Sequence, residues 1–154
     1  MDFEKLRQAH VDFLAVVREG GFGPPPAGEW DAERLLAHVA AADASIASVA
    51  LAVIAGERPC YDNRASLDEW NLRRIVRQAG GINGLLDLVR RQGDLLCAVA
   101  AGLTEADQAV LINVLIISND QLVVDEPWSV GSLVEGVGVF HLPRHAEQLA
   151  GLRQ

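Results

Sequence analysis

The sequence predicts an all-α fold, a single domain that contains four long helices. Half of the residues are apolar but only 5% are aromatic, so the core consists mainly of alanine, leucine and valine, which suit helices. Apolar residues recur at helical spacing in four stretches, which glycine and proline separate. A chain of 154 residues is large enough to bury a core without disulfides, so we interpret residues 1–154 as one domain.

The first long helix is predicted from Asp2 to about Arg18, and the second from Asp31 to Gly56, which closes it. Apolar residues repeat at helical spacing along both, and Asp31 is a suitable N-cap because its carboxylate can accept a backbone N–H of the first turn. A glycine-rich segment and three consecutive prolines, residues 20–26, separate the two helices. This short linker makes the two helices antiparallel neighbours.

The rest of the chain alternates loops with helices and contains one segment with strand character. We predict a loop at 57–66, a short helix at 68–78, a third long helix at about 83–101, a β-hairpin at 110–124 and a fourth long helix from Ser129. The hairpin prediction rests on β-branched residues around the turn sequence Ser118-Asn119-Asp120, and Pro127 ends the segment. Helix is the alternative, because periodicity does not separate helix from strand in short apolar runs.

Composition and charge exclude several classes of function. The net charge of −8 argues against binding nucleic acid, whose affinity depends on neutralising phosphates. Cys60 and Cys97 form no CxxC pair, and we interpret them as reduced thiols of a cytoplasmic protein. The charged N-terminal residues do not resemble a signal peptide, and the longest apolar run, Ile46–Ala55, is too short to cross a membrane. We therefore expect a soluble cytoplasmic protein.

Three of the four histidines have positions that suit a catalytic metal. His141 and His145 lie four residues apart in the last helix, about one turn from each other, so both imidazoles can point to one ion. His38 lies on the flank of the apolar stripe of the second helix, where it faces a neighbouring helix. Three nitrogen ligands leave at least one position open, as in catalytic zinc sites. The alternative is a set of partly buried imidazoles that are hydrogen-bonded to backbone or solvent.

Pro143 stands between the last two histidines and disturbs a regular helix. It lacks an N–H, and its ring clashes with the carbonyl of Val139. The resulting bend either separates His141 from His145 or turns both towards the axis of the helices.

His10 and Gln148 are candidate substrate-binding residues. At about 1.5 Å per residue, His10 and His38 lie at similar distances from the linker between their antiparallel helices, so His10 could line the same cavity. Its alternative role is that of a core histidine bonded to a neighbour. Gln148 follows His145 by one turn and could orient a ligand or bind substrate; the alternative is a surface glutamine.

Three motifs spread over nearly the whole chain are similar to those of a known family. The run Trp30-Asp31-x3-Leu35-Leu36-Ala37-His38 opens the second helix, Asp68-x2-Asn71 precedes the third, and His141-x3-His145-x2-Gln148 lies in the fourth. The chain thereby resembles the DinB/YfiT-like superfamily of metalloenzymes, which includes the metal-binding domain of mycothiol-dependent maleylpyruvate isomerase. Only the histidine pattern is specific, and Pro143 departs from it.

The resemblance implies a four-helix bundle with up-down-down-up connectivity, in which His38, His141 and His145 bind a divalent metal. Zinc or nickel is the favoured ion. Iron and manganese are alternatives, because imidazole binds all four metals. Such a site would activate a low-molecular-weight thiol or water for transfer, isomerisation or hydrolysis of a small molecule. The alternatives are a protein that sequesters a small molecule without catalysis, and a homodimer joined through the alanine-rich second helix.

Overall fold

The computed structural model describes residues 2–154 and is mostly helical, with one small sheet. The helices are α1 (Phe3–Glu19), α2 (Ala32–Ile54), α3 (Arg64–Leu67), α4 (Glu69–Ala79), α5 (Ile82–Ala101), α6 (Glu105–Gln108), α7 (Val130–Gly136) and α8 (Leu142–Gly151), and a π-helical turn (Val137–His141) joins α7 to α8. The predicted helices at 2–18, 31–56, 68–78 and 83–101 therefore correspond to α1, α2, α4 and α5. The predicted fourth helix is divided by the π-helical turn.

Short polar side chains cap the N-termini of three of these helices. Asp2 accepts the backbone N–H groups of Glu4 and Lys5, and Asp31 accepts that of Arg34 at 2.8 Å. Ser129 begins α7 in the same way, through the N–H of Ser132. Each bond satisfies a helical donor that has no partner within the helix itself.

The core lies where α2 packs against α5, and α1 packs against α5 and α8. Alanines of α2 at positions 37, 40, 42, 47 and 50 are all at most 2% exposed, which lets neighbouring helices approach closely. Ala41 and Ala44, which belong to the same alanine-rich face, are half-buried and line a cleft between α2, α4 and α5.

By length and composition, helix α2 as a whole is long and apolar enough to cross a membrane. The run Ile46–Ala55 alone is too short. In the most apolar window of α2, 61% of the residues are buried inside the protein, as expected for a core helix. Its buried face also carries the polar side chains of His38 and Asp43.

The strands form a three-stranded sheet and not the simple hairpin that the sequence predicts. Strands β2 (Leu111–Ser118) and β3 (Gln121–Ser129) are antiparallel, and a third strand, β1 (Tyr61–Asp62), pairs with β2 in parallel. The turn between β2 and β3 contains Asn119 and Asp120 at φ of 50° and 59°, a conformation that these two residue types tolerate.

Two local predictions about these segments are wrong. Residues 57–66 are not all loop, because β1 and the start of α3 lie there. Pro127 does not end the hairpin: β3 continues to Ser129, and Pro127 pairs with Asn113. Proline is tolerated here because β3 is an edge strand of the sheet.

A widened turn accommodates Pro143 in the last helical segment. The N–H of Leu142 bonds to the carbonyl of Val137, five residues back, and Pro143 then lies in the first turn of α8. Proline is tolerated in a first turn, and the wider π-helical turn relieves its clash with the preceding carbonyl. Gly138 allows this turn to approach α1, since a Cβ there would lie 3.0 Å from Cα of Leu6.

Candidate metal centre

Three elements bring His38, His141 and His145 together. His38 lies on α2, His141 ends the π-helical turn, and His145 lies one turn into α8. Nε2 of His38 lies 2.9 Å from Nε2 of His141, and one ring nitrogen from each histidine lies within 4.8 Å of the other two. Two nitrogens bound to one ion at about 2.0–2.1 Å lie roughly 3 Å apart, so this cluster has the dimensions of a metal site. Pro143 therefore does not separate the two histidines on either side of it.

The outer nitrogens of two rings are held by acceptors. His38 donates its Nδ1–H to the carbonyl of Ser66 at 2.7 Å, and His145 donates its Nδ1–H to Oε1 of Gln148 at 2.6 Å. These acceptors place the ring proton on Nδ1 and leave the lone pair on Nε2. Histidine ligands of metals commonly have such a partner, which orients the ring.

The three imidazoles of His38, His141 and His145 are suited to bind a cation. Without metal, Nε2 of neutral His38 accepts the Nε2–H of His141 at 2.9 Å. Nδ1 of His141 is then a buried acceptor with no hydrogen-bond partner within residues 2–154, which costs about 1–3 kcal/mol. A divalent ion bound to the three Nε2 atoms would take the place of the shared proton, and its coordination would offset that cost.

Burial keeps the three imidazoles neutral. It lowers the pKa of His145 to about 4, and it lowers the pKa of His38 against the opposing effect of the Ser66 hydrogen bond. The pKa of His141 lies well below its usual value, first through burial and then because a proton on His141 would be repelled by any proton on His145 or His38. Neutral imidazole is the form that binds metal, so the cluster is ready for a metal near pH 7.

The cluster is largely buried beside an aromatic side chain: His38 and His145 are at most 9% exposed, and His141 is half-buried. The ring of Trp30 lies 5.3 Å from that of His38, centre to centre. Two clefts of about 610 and 340 Å³ lie elsewhere, the first beside the α1–α2 linker and the second between α2, α4 and α5, and the three histidines line neither of them.

The structure places the two predicted substrate residues in different settings. Gln148 is the hydrogen-bond acceptor for His145. His10 is buried, donates Nδ1–H to the carbonyl of Leu6 at 3.0 Å, and has Nε2 2.9 Å from Oδ2 of Asp43. Both ring nitrogens of His10 therefore already have partners within the protein.

The partner of His10, Asp43, is a buried acid that the sequence reasoning missed. Asp43 is fully buried on α2, and its Oδ1 has no partner within residues 2–154. Burial would lower the pKa of His10, but the hydrogen bond to Asp43, aided by the neighbouring Cys97 and the Asp43 charge, raises it to about 10. The hydrogen bond to Asp43 therefore favours the protonated form of His10, although burial also raises the pKa of Asp43. Asp43 lies on the apolar stripe of α2, and this position could have indicated a buried acid from the sequence.

The sequence was compared with protein-family models and with curated proteins. No family model matches the chain, and no curated protein matches it significantly.

Proposed function

We propose that this protein is a metal-dependent enzyme that acts on a small molecule with the help of a low-molecular-weight thiol or water. The observation that carries the proposal is the convergence of three neutral imidazoles, two of them oriented by hydrogen bonds to Ser66 and Gln148. Structural zinc sites use four protein ligands, whereas catalytic sites use three and keep a position open. Zinc or nickel suits such a donor set, and iron and manganese are alternatives.

When bound, a divalent ion lowers the pKa of a coordinated thiol or water and so supplies a nucleophile near neutral pH. The protein ligands carry no negative charge, so the site favours an anion as the additional ligand. The residues of the chain orient the rings and exclude bulk water, since His38 and His145 are at most 9% exposed. The exclusion of water strengthens electrostatic interactions inside the site, because it lowers the local dielectric constant.

The fold that we propose for this function is the DinB-type four-helix bundle. Helices α1, α2 and α5 and the α7–α8 segment would be its four members. The packing of α2 against α5, and of α1 against α5 and α8, supports this arrangement. The metal ligands would then come from two of the four members, α2 and the last segment, as the DinB resemblance implies.

The second candidate is a protein that sequesters a small molecule without turning it over. The burial of the histidines favours it, because two of the three, His38 and His145, are at most 9% exposed. A largely buried site suits a tightly held ligand better than rapid exchange of substrate and product.

Turnover measurements separate the two candidates. The metal-loaded protein would be incubated with cysteine, glutathione or mycothiol and a small electrophile, and the loss of free thiol followed, with ester hydrolysis measured in parallel. The enzyme proposal predicts many turnovers for the native protein and none for the metal-free protein or for His145→Ala. One equivalent of tightly bound small molecule with no turnover would instead support sequestration. Native protein that binds no metal would overturn the enzyme proposal.

A further inference from the structure

The carbonyl that orients His38 belongs to a very short helix. Ser66 lies in α3, which spans only Arg64–Leu67. Four residues form too few helical hydrogen bonds to stabilise themselves, because the cost of helix initiation is not recovered in so short a segment. The position of the Ser66 carbonyl therefore depends on what holds α3 from outside.

Asn63 holds the beginning of α3 against the sheet. Its side chain pairs with one residue of β2: Nδ2 donates to the carbonyl of Ile117 at 2.9 Å, and Oδ1 accepts the N–H of Ile117 at 2.8 Å. The backbone N–H of Asn63 also donates to the carbonyl of Leu115 at 3.2 Å. Asn63 is only 9% exposed, so water competes little for these bonds.

The same residue holds Ser66. The carbonyl of Asn63 accepts both the backbone N–H of Ser66 at 3.1 Å and its hydroxyl at 2.8 Å. The carbonyl of Ser66 then accepts Nδ1–H of His38 at 2.7 Å. At the other side of α3, Nδ2 of Asn71 donates to the carbonyl of Ala65 at 3.1 Å, but this bond is exposed to solvent. A continuous set of buried and partly buried hydrogen bonds thus runs from β2 through Asn63 and Ser66 to a metal ligand.

We propose that Asn63 is a positioning residue for the metal site, because it transmits the position of β2 to the ring of His38 through Ser66. This proposal rests on the proposed metal-binding function. The amide of asparagine is matched to the task because it offers one donor and one acceptor to the two backbone groups of Ile117. Alanine would remove both bonds, and aspartate would replace the donor with an oxygen that faces the Ile117 carbonyl.

The test compares Asn63→Ala with Val114→Ala, a buried change in the same strand that touches none of these hydrogen bonds. Affinity for Zn²⁺ alone is measured by competition with a chromogenic chelator, and thermal stability is measured in parallel. Asn63→Ala should lose about tenfold in affinity, the lower end of the range for partners of metal ligands, while Val114→Ala stays within twofold of the native protein. Equal affinities in the two variants, whether unchanged or equally reduced, would overturn the proposal. If Asn63→Ala does not fold, Asn63→Asp takes its place with the same expected loss and the same contrary result.

A second readout does not require metal binding. In metal-free protein, the ¹⁵N shifts of the His38 ring report which nitrogen carries the proton. The native protein should show a single Nδ1–H tautomer, and the Asn63 variant a mixture of tautomers. A single Nδ1–H tautomer in both would overturn the role of Asn63. Failure of the native protein to bind Zn²⁺ would contradict the metal-binding function alone, since the tautomer result still decides the role of Asn63.

Discussion

His145 and Gln148 form a short hydrogen bond, 2.6 Å between Nδ1 and Oε1, within the last helix of the chain. The bond fixes both the tautomer and the rotation of the His145 ring, so that Nε2 faces His38 and His141. Gln148 lies three residues after His145 on α8, so one helix supplies both the metal ligand and its hydrogen-bond partner. Gln148, which the sequence suggested as a residue that orients a ligand or binds substrate, thus touches a metal ligand directly.

The role of Gln148 predicts a loss of metal affinity when its acceptor is removed. Gln148→Ala should weaken Zn²⁺ binding about tenfold, since loss of such a partner costs about 10–100-fold and this one is partly exposed to solvent. Gln148→Glu retains an acceptor oxygen and should bind at least as tightly as the native protein. Competition titration of the three proteins is the measurement. Equal affinities for Gln148→Ala and Gln148→Glu would show that the bond does not orient the ligand.

Acid should destabilise the metal-free protein through its buried neutral histidines. The pKa of His145 is lowered to about 4, whereas an unfolded histidine titrates near 6.5, so the unfolded state binds protons first as the pH falls. The free energy of unfolding should therefore decrease as the pH falls from about 6.5 to about 4, and His145 should account for roughly 3 kcal/mol of that decrease. Below about pH 4 the contribution of His145 should stay constant.

Urea unfolding of chelator-treated protein at several pH values measures this effect. The matched control is His145→Gln, which retains the carboxylates but removes the titrating group. Its stability should fall less steeply over the same range. Parallel pH profiles for the two proteins would mean that His145 is not held neutral by burial.

The ion pair of His10 and Asp43 should show strong coupling. Asp43→Ala leaves a buried imidazolium without its partner and should lower the free energy of unfolding by about 3–5 kcal/mol. The double variant with His10→Gln should cost clearly less than the two single variants together, because the charge that was left unpaired is gone. Denaturant unfolding of the four proteins gives the coupling energy. Strictly additive costs would be incompatible with the pair.

Gly93 and Gly136 should respond to alanine in opposite directions. Both lie in helices, where glycine is less stable than alanine by about 1 kcal/mol. A Cβ at Gly136 meets nothing within 4 Å, so Gly136→Ala should stabilise the protein. A Cβ at Gly93 overlaps the ring of His10 and would lie 2.9 Å from its Nε2, so Gly93→Ala should destabilise it. Thermal unfolding of both variants tests the prediction, and an increase in stability for Gly93→Ala would contradict the packing described for His10.

The sequence was informative about features set by neighbouring residues. Helical periodicity and N-caps such as Asp31 predicted the long helices closely. The turn at Asn119 and Asp120 was correctly placed between two strands, because those residues tolerate a positive φ. The spacing of His141 and His145, with His38 on the flank of its helix, predicted a cluster that the structure shows.

Features that depend on distant contacts were missed. Strand β1 is two residues long and exists through its pairing with β2, so periodicity could not reveal it. The sequence predicted a bend at Pro143, but not that the bend is a π-helical turn that packs against α1. The partnership of Asp43 with His10 joins two helices, and spacing within one helix carries no record of it.

The central claim, that His38, His141 and His145 form a metal site, is tested most directly by metal content. Native protein and His145→Ala would be purified side by side without chelators and examined by elemental analysis. Glu147→Ala, an exposed change two residues away on the same helix, is the control. The structure predicts about one equivalent of a divalent metal in the native protein and in the control, and none in His145→Ala. Retention of the metal by His145→Ala, or its absence from native protein that has been supplied with zinc and nickel, would contradict the site.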